Sequence, residues 1–223
     1  MNWLLEFFGK AENWSGPASI PARLLEHLEF SVMALVLAVL IAIPLGLLIG
    51  HTGKGGLGVV VTANLARALP TLGLLVMFVL LLGTASILPV IIPLVLLAIP
   101  PILVNTFEGI RGVDPELRDA AYGMGLRSGQ VLGRVLVPVA LPLILLGLRL
   151  SAIQVVATTT IAAYTGLGGL GRFVIDGFAT QDYASVVGGS VLIVLFALVV
   201  QVLFTVVRWV TVSPGVSQRV KVR

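Results

Sequence analysis

Charged residues divide the chain into a few long stretches that contain no Asp, Glu, Lys or Arg. The stretches are 30–53, 68–107, 135–171 (interrupted only by Arg149) and 183–207. A helix needs about 20 apolar residues to cross the hydrocarbon core of a bilayer, so the second stretch is long enough for two helices. The segment 83–86, Gly-Thr-Ala-Ser, marks the break between those two. The pattern therefore predicts five membrane-spanning helices, at about 28–51, 59–82, 87–108, 136–163 and 184–207.

The composition of the chain supports this interpretation. Apolar residues make up 58% of its 223 residues and charged residues only 11%, against roughly 25% charged residues in soluble domains. A chain so poor in charge cannot cover a water-facing surface, so its main solvent is lipid. We therefore predict an all-α integral membrane protein that forms one transmembrane domain over residues 1–223.

Cysteine and histidine usage excludes several kinds of site. The chain has no cysteine, and His27 and His51 stand far apart, so neither a disulfide framework nor a metal site is expected. The net charge of +4 would suggest nucleic-acid binding in a soluble protein, but here the position of the charges matters more than their sum. No nucleic-acid partner is predicted.

The positions of Lys and Arg in the loops predict the orientation, because cytoplasmic loops carry the excess of these residues. With the N-terminus outside, three of them lie outside: Lys10, Arg23 and Arg172. Ten lie on the inner side: Lys54, Arg67, Arg111, Arg118, Arg127, Arg134, Arg208, Arg219, Lys221 and Arg223. We therefore expect a bacterial cytoplasmic-membrane protein with its N-terminus outside and its C-terminus in the cytoplasm. A six-span alternative, which splits 136–163, would put a basic end on the wrong side.

Both termini carry features of a membrane interface. Residues 1–25 include Trp3, Phe7, Phe8 and Trp14, which predict a segment lying at the bilayer surface. The first residues lack the basic region of a cleavable signal peptide, so the whole chain is expected in the mature protein. At the other end, 208–223 is a basic cytoplasmic tail suited to anionic lipid.

The connection 108–138 is polar and differs from the rest of the chain. Asp114 and Pro115 predict a helix start, because Asp accepts hydrogen bonds from free backbone amides and Pro at the first position loses none. Gly123 and Gly125 predict the end of that helix. A short, polar helix on the cytoplasmic surface cannot span the membrane, and it is suited to contact with a soluble partner.

This connection resembles the EAA loop of ABC importer permeases. The family pattern reads Glu-Ala-Ala, three residues, Gly, nine residues, and Ile-x-Leu-Pro. The chain has Asp119-Ala120-Ala121, then Gly125, then Val135-Leu136-Val137-Pro138. The spacing matches throughout, and the departures from the family pattern (Asp for Glu, and Val for Ile and for Leu) are conservative.

Segments on either side are similar to permeases for glycine betaine, carnitine, choline and related osmoprotectants. They are 67–75, 105–110, 147–149, 154–158 and 166–173, and the resemblance covers about 25–207. It implies the five-helix, MetI-like fold and a quaternary-amine substrate. Methionine-type permeases share this plan and some of these segments, so methionine or another amino acid is the alternative substrate.

The resemblance also implies a mechanism. In this family the EAA loop forms a coupling helix that docks on a cytosolic ATPase, and ATP-driven motion switches the bundle between inward-facing and outward-facing states. Here that contact would involve Asp119, Ala120, Ala121, Gly125, Arg127 and Pro138. The implied partners are ATPase subunits that bind ATP and Mg²⁺, a second identical or related permease, and an extracytoplasmic substrate-binding protein. The chain has no P-loop sequence, so it is expected to bind no cofactor and to catalyse no reaction itself.

Three residues are candidates for the translocation path. Arg149 is the one charge deep in a span, where a charged side chain usually faces the bundle interior or a water-filled cavity. The alternative is that it extends toward the inner surface. Tyr164 could contact a quaternary ammonium group through its ring, although ordinary packing is the alternative. Asn105 is the third candidate.

Two other classes of protein remain as alternatives. A stand-alone secondary transporter would carry paired carboxylates or ion ligands within its spans, but these spans hold no Asp or Glu away from their ends. A structural or assembly protein would have no need of the capped loop helix. The pattern Gly166-x-Gly168-x-x-Gly171 matches a dinucleotide fingerprint but lies outside any βαβ unit, so a tight turn at the outer mouth is expected there.

Overall fold

The computed structural model describes residues 2–68 and 70–212, which are helical apart from short connections. The helices are α1 (Trp3–Gly9), α2 (Ile20–Thr52), α3 (Gly56–Ala68), α4 (Thr71–Leu82), α5 (Leu88–Arg111), α6 (Pro115–Gly123), α7 (Ser128–Val131), α8 (Val137–Thr159), α9 (Gly171–Thr180) and α10 (Tyr183–Thr211). Short 3₁₀ turns cover Ala11–Asn13 and Thr160–Thr165, and one π-helical turn covers Leu132–Leu136. The prediction of an all-α fold is confirmed. Of the basic tail predicted at 208–223, the residues from 213 onward lie outside the described part of the chain.

Four helical segments in the described part of the chain are long and apolar enough to cross a membrane. They are Ile20–Thr52, Leu88–Arg111, Ser128–Thr165 and Tyr183–Thr211. Each contains most of a span that the charge-free stretches predict. Each segment continues past one end of its charge-free stretch, because helical hydrogen bonding does not stop at the first charged residue.

The predicted span over 59–82 is not one continuous helix. The structure has α3 and α4 instead, with Pro70 in an extended conformation directly before α4. A proline ring cannot donate the helical hydrogen bond and clashes with the preceding turn, which ends α3. The apolar α4 has 12 residues and a length of about 18 Å, too short to cross the hydrocarbon core alone.

The third long segment is one helical path with a widened turn. The π-helical turn at Leu132–Leu136 joins α7 to α8, and Pro138 follows as the second residue of α8. Because Pro138 has no amide proton and its ring crowds the carbonyl four residues earlier, the backbone adjusts locally before it. The span predicted at 136–163 therefore begins inside a helix that starts at Ser128.

The chain divides into two compact units, each assembled from three separate stretches. The first comprises Met1–Leu37, Leu69–Ala98 and Ala152–Val200. Its apolar contacts include the buried residues Phe7, Ile20 and Ala184. It also contains buried polar contacts, such as the hydroxyls of Ser31 and Thr159, which lie 3.1 Å apart.

The second unit comprises Ala38–Ala68, Ile99–Ser151 and Gln201–Arg223. Small residues bring its helices close together. A side chain at Gly46 of α2 would meet Thr106 of α5, and one at Gly147 of α8 would meet Asn105. Glycines on α2 and α8 thus allow close backbone approach to α5, as is usual in membrane helix packing.

Candidate coupling loop and transport path

The N-terminus of α6 is capped as the sequence predicts. The side chain of Asp114 accepts a hydrogen bond from the backbone amide of Glu116 at 2.9 Å, and Pro115 is the first helical residue. Glu116 also places negative charge at the positive end of the helix dipole. These local interactions define where the loop helix begins.

The C-terminus of α6 is closed by a glycine in the left-handed conformation. Gly125 has φ +82°, and its amide donates to the carbonyl of Tyr122 at 2.9 Å. The amide of Leu126 then donates to the carbonyl of Ala121 at 3.3 Å, which completes a Schellman motif. A residue with a Cβ is strained in this conformation, so the sequence requires glycine at 125.

The inner face of α6 rests on an apolar cluster of the second unit. The buried residues of this cluster are Ile110, Val113, Ala121, Val131, Leu136, Ala140 and Ile144. Ala121 is only 1% exposed, whereas Asp119 and Ala120 lie on the exposed surface. The sequence expectation that both alanines face a partner is therefore incorrect for Ala121. This residue packs into the apolar cluster and holds α6 against it.

The exposed face of α6 carries apolar side chains that the motif alone did not identify. Leu117 and Met124 are exposed, Met124 at 75%, and they lie three residues before and four residues after Ala120. Residues with this spacing share one helix face. We call Leu117, Ala120 and Met124 the exposed stripe. Helical periodicity in the sequence was the signal that could have revealed it.

Two polar contacts attach the loop to neighbouring helices. The Nη2 atom of Arg118 donates to the carbonyl of Ile110 at 3.2 Å, so α6 is tied to α5. The Nε2 atom of His51 lies 2.7 Å from Oγ of Ser128, which ties α7 to the end of α2. The second contact does not follow from the motif, because His51 and Ser128 are 77 residues apart in the sequence.

The remaining predicted loop residues, Arg127 and Pro138, are also exposed. The backbone amide of Arg127 donates to Oε1 of Gln130 at 2.8 Å, which starts α7. Arg127 is thus an exposed residue at the junction between α6 and α7.

The path candidates occupy two different units. Asn105 and Arg149 lie in the second unit and Tyr164 in the first. The Nε atom of Arg149 donates to Oε1 of Gln201 at 2.7 Å, and the side chain is half-buried. The side-chain amide nitrogen Nδ2 of Asn105 donates to the backbone carbonyl of Pro101 at 2.7 Å. Tyr164 is 60% exposed. Gln201 is a polar partner within a span that sequence reasoning missed.

The glycine pattern 166–171 forms the tight turn that the sequence predicts. Gly166, Gly168 and Gly169 all have positive φ. The amide of Gly169 donates to Oε2 of Glu26 at 2.8 Å, so a carboxylate of the same chain occupies the position that a bound phosphate would need. The turn is held by a side chain of α2.

His27 fixes the same turn from within the first unit. Its Nδ1 atom accepts from the amide of Leu170 at 3.2 Å, so the other ring nitrogen carries the proton and donates to the carbonyl of Val156 at 2.8 Å. His27 is fully buried. Polar residues near the start of an otherwise apolar helix were the only sequence signal for this arrangement.

Comparison with known proteins relates this architecture to a transport family. Residues 42–211 match the family model described as binding-protein-dependent transport system inner membrane component. The choline transport system permease protein OpuBB of Bacillus subtilis is 33% identical over 196 residues, which covers 88% of this chain and 89% of that protein. The carnitine transport permease protein OpuCB of Listeria monocytogenes is 36% identical over 176 residues, covering 79% of this chain and 80% of that protein.

A solved structure has the same fold. The permease chain in inward-facing conformations of the MetNI methionine ABC transporter superposes with a TM-score of 0.75 at 21% identity, covering 87% of this chain and 96% of that one. The family match covers most of the chain, and two relatives exceed 30% identity over most of their length. The protein thus belongs to the family of inner membrane components of binding-protein-dependent transport systems.

Proposed function

We propose that this chain is the translocating permease of an ATP-driven importer for quaternary-amine osmolytes of the choline, carnitine and glycine betaine type. The observation that carries the proposal is the similarity, across about four fifths of the chain or more, to permeases that transport choline and carnitine. The chain supplies the membrane path by alternating access, and it catalyses no reaction itself. ATP and Mg²⁺ are bound by separate ATPase subunits.

The loop helix α6 is the proposed contact with the ATPase. Two observations support this proposal. The exposed stripe lies beside the carboxylate of Asp119, and the helix that carries it is capped at both ends and packs on the chain's own apolar cluster. Ala120 allows close approach, and Asp119 can pair with a basic group of the partner. Ala121 and Gly125 shape and seat the helix, while Arg127 and Pro138 flank the contact.

The proposed orientation puts this loop in the cytoplasm and the N-terminus outside. It rests on the ten Lys and Arg residues assigned to the inner side against three on the outer side. The binding protein would then meet the side that carries the glycine turn 166–171. A second copy of the chain or a related permease would complete the path.

Arg149, Asn105 and Tyr164 remain the proposed residues of the path. Arg149 is supported by its half-buried position and its hydrogen bond to Gln201, because a charge in a span requires such a polar partner. Asn105 is supported by its place opposite Gly147, where α5 and α8 approach closely. Tyr164 is supported by its exposed ring, which is accessible to a cationic ligand.

Methionine is the alternative substrate, because the solved neighbour is a methionine transporter chain. At 21% identity that likeness concerns the fold, whereas the relatives above 30% identity are named for choline and carnitine. Uptake of radiolabelled choline, carnitine, glycine betaine and methionine by the complex reconstituted with its ATPase and binding protein separates these possibilities. Methionine uptake without uptake of any quaternary amine contradicts the proposed substrate class.

The coupling contact is tested by replacing Ala120 with Arg. The bulky charge lies on the exposed stripe, so the variant should insert and remain folded but lose the ATPase on co-purification. Ala120→Ser is the matched control, because it keeps a small side chain. If Ala120→Arg retains both the ATPase and transport, α6 is not the docking helix.

A further inference from the structure

Arg149 carries the only charge within the four apolar stretches that supply the membrane spans. Its guanidinium is tied to α10, because Nε donates to Oε1 of Gln201 at 2.7 Å. The amide of Gln201 is neutral, so this hydrogen bond satisfies one donor and does not balance the charge. The four stretches contain no Asp or Glu, and the ion pairs within residues 2–68 and 70–212 involve other side chains. The described part of the chain therefore gives Arg149 no counter-charge.

Arg149 lies far from the inner end of its own helix. It follows Arg134, the preceding charged residue, by 15 residues, and the helical path between them is continuous through the widened turn. Fifteen helical residues measure about 22 Å, which is farther than an arginine side chain extends. On α10, Gln201 precedes Arg208 by seven residues, or about 10 Å. These separations argue against the alternative that Arg149 extends to the inner surface.

The pair formed by Arg149 and Gln201 is set apart from the exposed apolar side of α10. Beyond Gln201, α10 exposes the apolar side chains of Val202, Leu203 and Val206. Gln201 itself is half-buried, and so is Arg149. A charge within a span that avoids an exposed apolar surface is typical of a group facing the bundle interior or a water-filled cavity.

The contact between α8 and α10 does not by itself require a charge. A hydrogen bond needs a donor and an acceptor, and a neutral side chain can supply either one. An ionised group within a span adds an electrostatic cost that a neutral pair avoids. Arginine also keeps its charge at every pH that a cell meets. The charge of Arg149 therefore needs a role beyond holding the two helices together.

A fixed positive charge repels cations, and the repulsion is strongest where little water is present to screen it. Arginine side chains can form electrostatic barriers to cations in membrane pores in this way. We propose that Arg149, positioned by Gln201, is a barrier that prevents small inorganic cations such as K⁺ and Na⁺ from leaking through the translocation path. This role rests on the proposed function of the chain as a translocating permease. Substrate passage is driven by ATP, so a moderate barrier to passive ion flow is compatible with it.

Ion efflux from vesicles that contain the complete transporter and ATP tests this barrier. K⁺ and Cl⁻ efflux are measured separately, and Arg149→Gln should raise K⁺ efflux about tenfold or more without raising Cl⁻ efflux. Arg134→Gln is the matched control, because it removes a charge from the same helical path outside the apolar stretch, and its K⁺ efflux should match the wild type. Unchanged K⁺ efflux in Arg149→Gln overturns the proposal. An equal rise in K⁺ and Cl⁻ efflux also overturns it, because a packing defect admits both ions.

Two further variants separate the charge from the contact. Gln201→Glu keeps an acceptor beside Arg149 and supplies a counter-charge, so K⁺ efflux should rise as in Arg149→Gln. A purely structural contact would instead be preserved or strengthened, and K⁺ efflux would stay low. Arg149→Lys keeps the positive charge and should remain as tight to K⁺ as the wild type. Low K⁺ efflux in Gln201→Glu contradicts the barrier even if Arg149→Gln fails to assemble.

Chemical modification places different charges on one folded protein. The chain has no cysteine, so Arg149→Cys is a unique labelling site in a complex whose other subunits also lack cysteine. A positively charged aminoethyl methanethiosulfonate label should restore low K⁺ efflux, whereas a neutral methyl label should not. Equal restoration by both labels would assign the effect to side-chain volume and overturn the proposal. So would a failure of water-soluble reagents to label Arg149→Cys, because the position would then lie outside a water-filled path.

Uptake of choline, carnitine and glycine betaine by the same vesicles tests the proposed function separately. If none of these substrates enters but K⁺ retention still depends on the charge at 149, the proposed substrate class is wrong and the barrier stands. If the substrates enter and K⁺ retention is the same in wild type and Arg149→Gln, the function stands and the barrier is wrong.

Discussion

The imidazole of His51 and the hydroxyl of Ser128 join the last turn of α2 to the first residue of α7, with Nε2 and Oγ 2.7 Å apart. The same part of α2 packs closely on α5, since a side chain at Gly50 would meet Ile110. Ile43 and Leu47 of α2 also pack against the apolar cluster beneath α6. The loop that carries α6 and α7 is therefore attached to α2 by both polar and apolar contacts.

We expect Ser128→Ala to weaken the coupling of ATP hydrolysis to transport. Loss of one hydrogen bond of about 0.5–1.5 kcal/mol should lower uptake per ATP hydrolysed by a few-fold while the ATPase remains bound. The measurement is the ratio of substrate uptake to phosphate release in proteoliposomes. Thr52→Ala is the control, because the Thr52 hydroxyl donates to the carbonyl of Leu48 in its own helix. An unchanged ratio in Ser128→Ala contradicts the prediction.

We expect Gly125→Ala to disturb α6 and Gly123→Ala to be tolerated. Alanine at 125 must adopt φ near +82° or break the cap, at a cost of about 1–2 kcal/mol. Gly123 is the last residue of α6, and a Cβ there meets open space, so alanine should be neutral or slightly stabilising. Co-purification with the ATPase and thermal unfolding in detergent compare the two. Equal behaviour of both variants would show that the left-handed cap contributes nothing.

We expect Gly168→Ala to destabilise the first unit more than Gly166→Ala. Both residues have positive φ, so both substitutions carry backbone strain. Only at Gly168 would the new Cβ collide with the carboxylate of Glu26, which holds the turn through the amide of Gly169. The difference in melting temperature between the two variants measures this collision. A Gly166→Ala variant that melts as low as Gly168→Ala would assign the whole effect to strain.

We expect Asp182 to make stability depend on pH in the acidic range. Hydrogen bonds from the side chain and backbone of Ser185, assisted by the charge of Lys10, hold the pKa of this carboxyl below its ordinary value of 3.8. The stabilisation is complete above the unfolded pKa and is lost as the pH falls through the lower folded pKa. Melting temperatures between about pH 5 and pH 2.5 should therefore fall more steeply in the wild type than in Asp182→Asn. Parallel curves for the two proteins would contradict this.

The loop helix could be predicted from sequence because its determinants are local. Asp114 and Pro115 start α6 and Gly125 ends it through interactions within a few residues. Its rotation could not be predicted from the motif. Ala121 faces inward because it packs with Val131 and Leu136, and this requires knowledge of how α7 and α8 return to the loop.

The contacts of Glu26 and His27 show the opposite case. Their partners at Gly169, Leu170 and Val156 lie 129 to 143 residues away along the chain. No local pattern connects them, and only the glycine turn itself was visible in the sequence. Pro70 lies between these two cases. The sequence shows that a helix can be interrupted there, but whether a membrane helix kinks or ends at a proline depends on neighbouring groups that supply the missing hydrogen bonds.

The widened turn at Leu132–Leu136 has a geometric consequence for the whole loop. One extra residue in a helical turn offsets the two flanking segments by about 100° about the helix axis. The direction in which α7 leaves the membrane-spanning α8 thus depends on the number of residues in this turn. Deleting one residue there would re-aim the loop while leaving the chemistry of its surface intact.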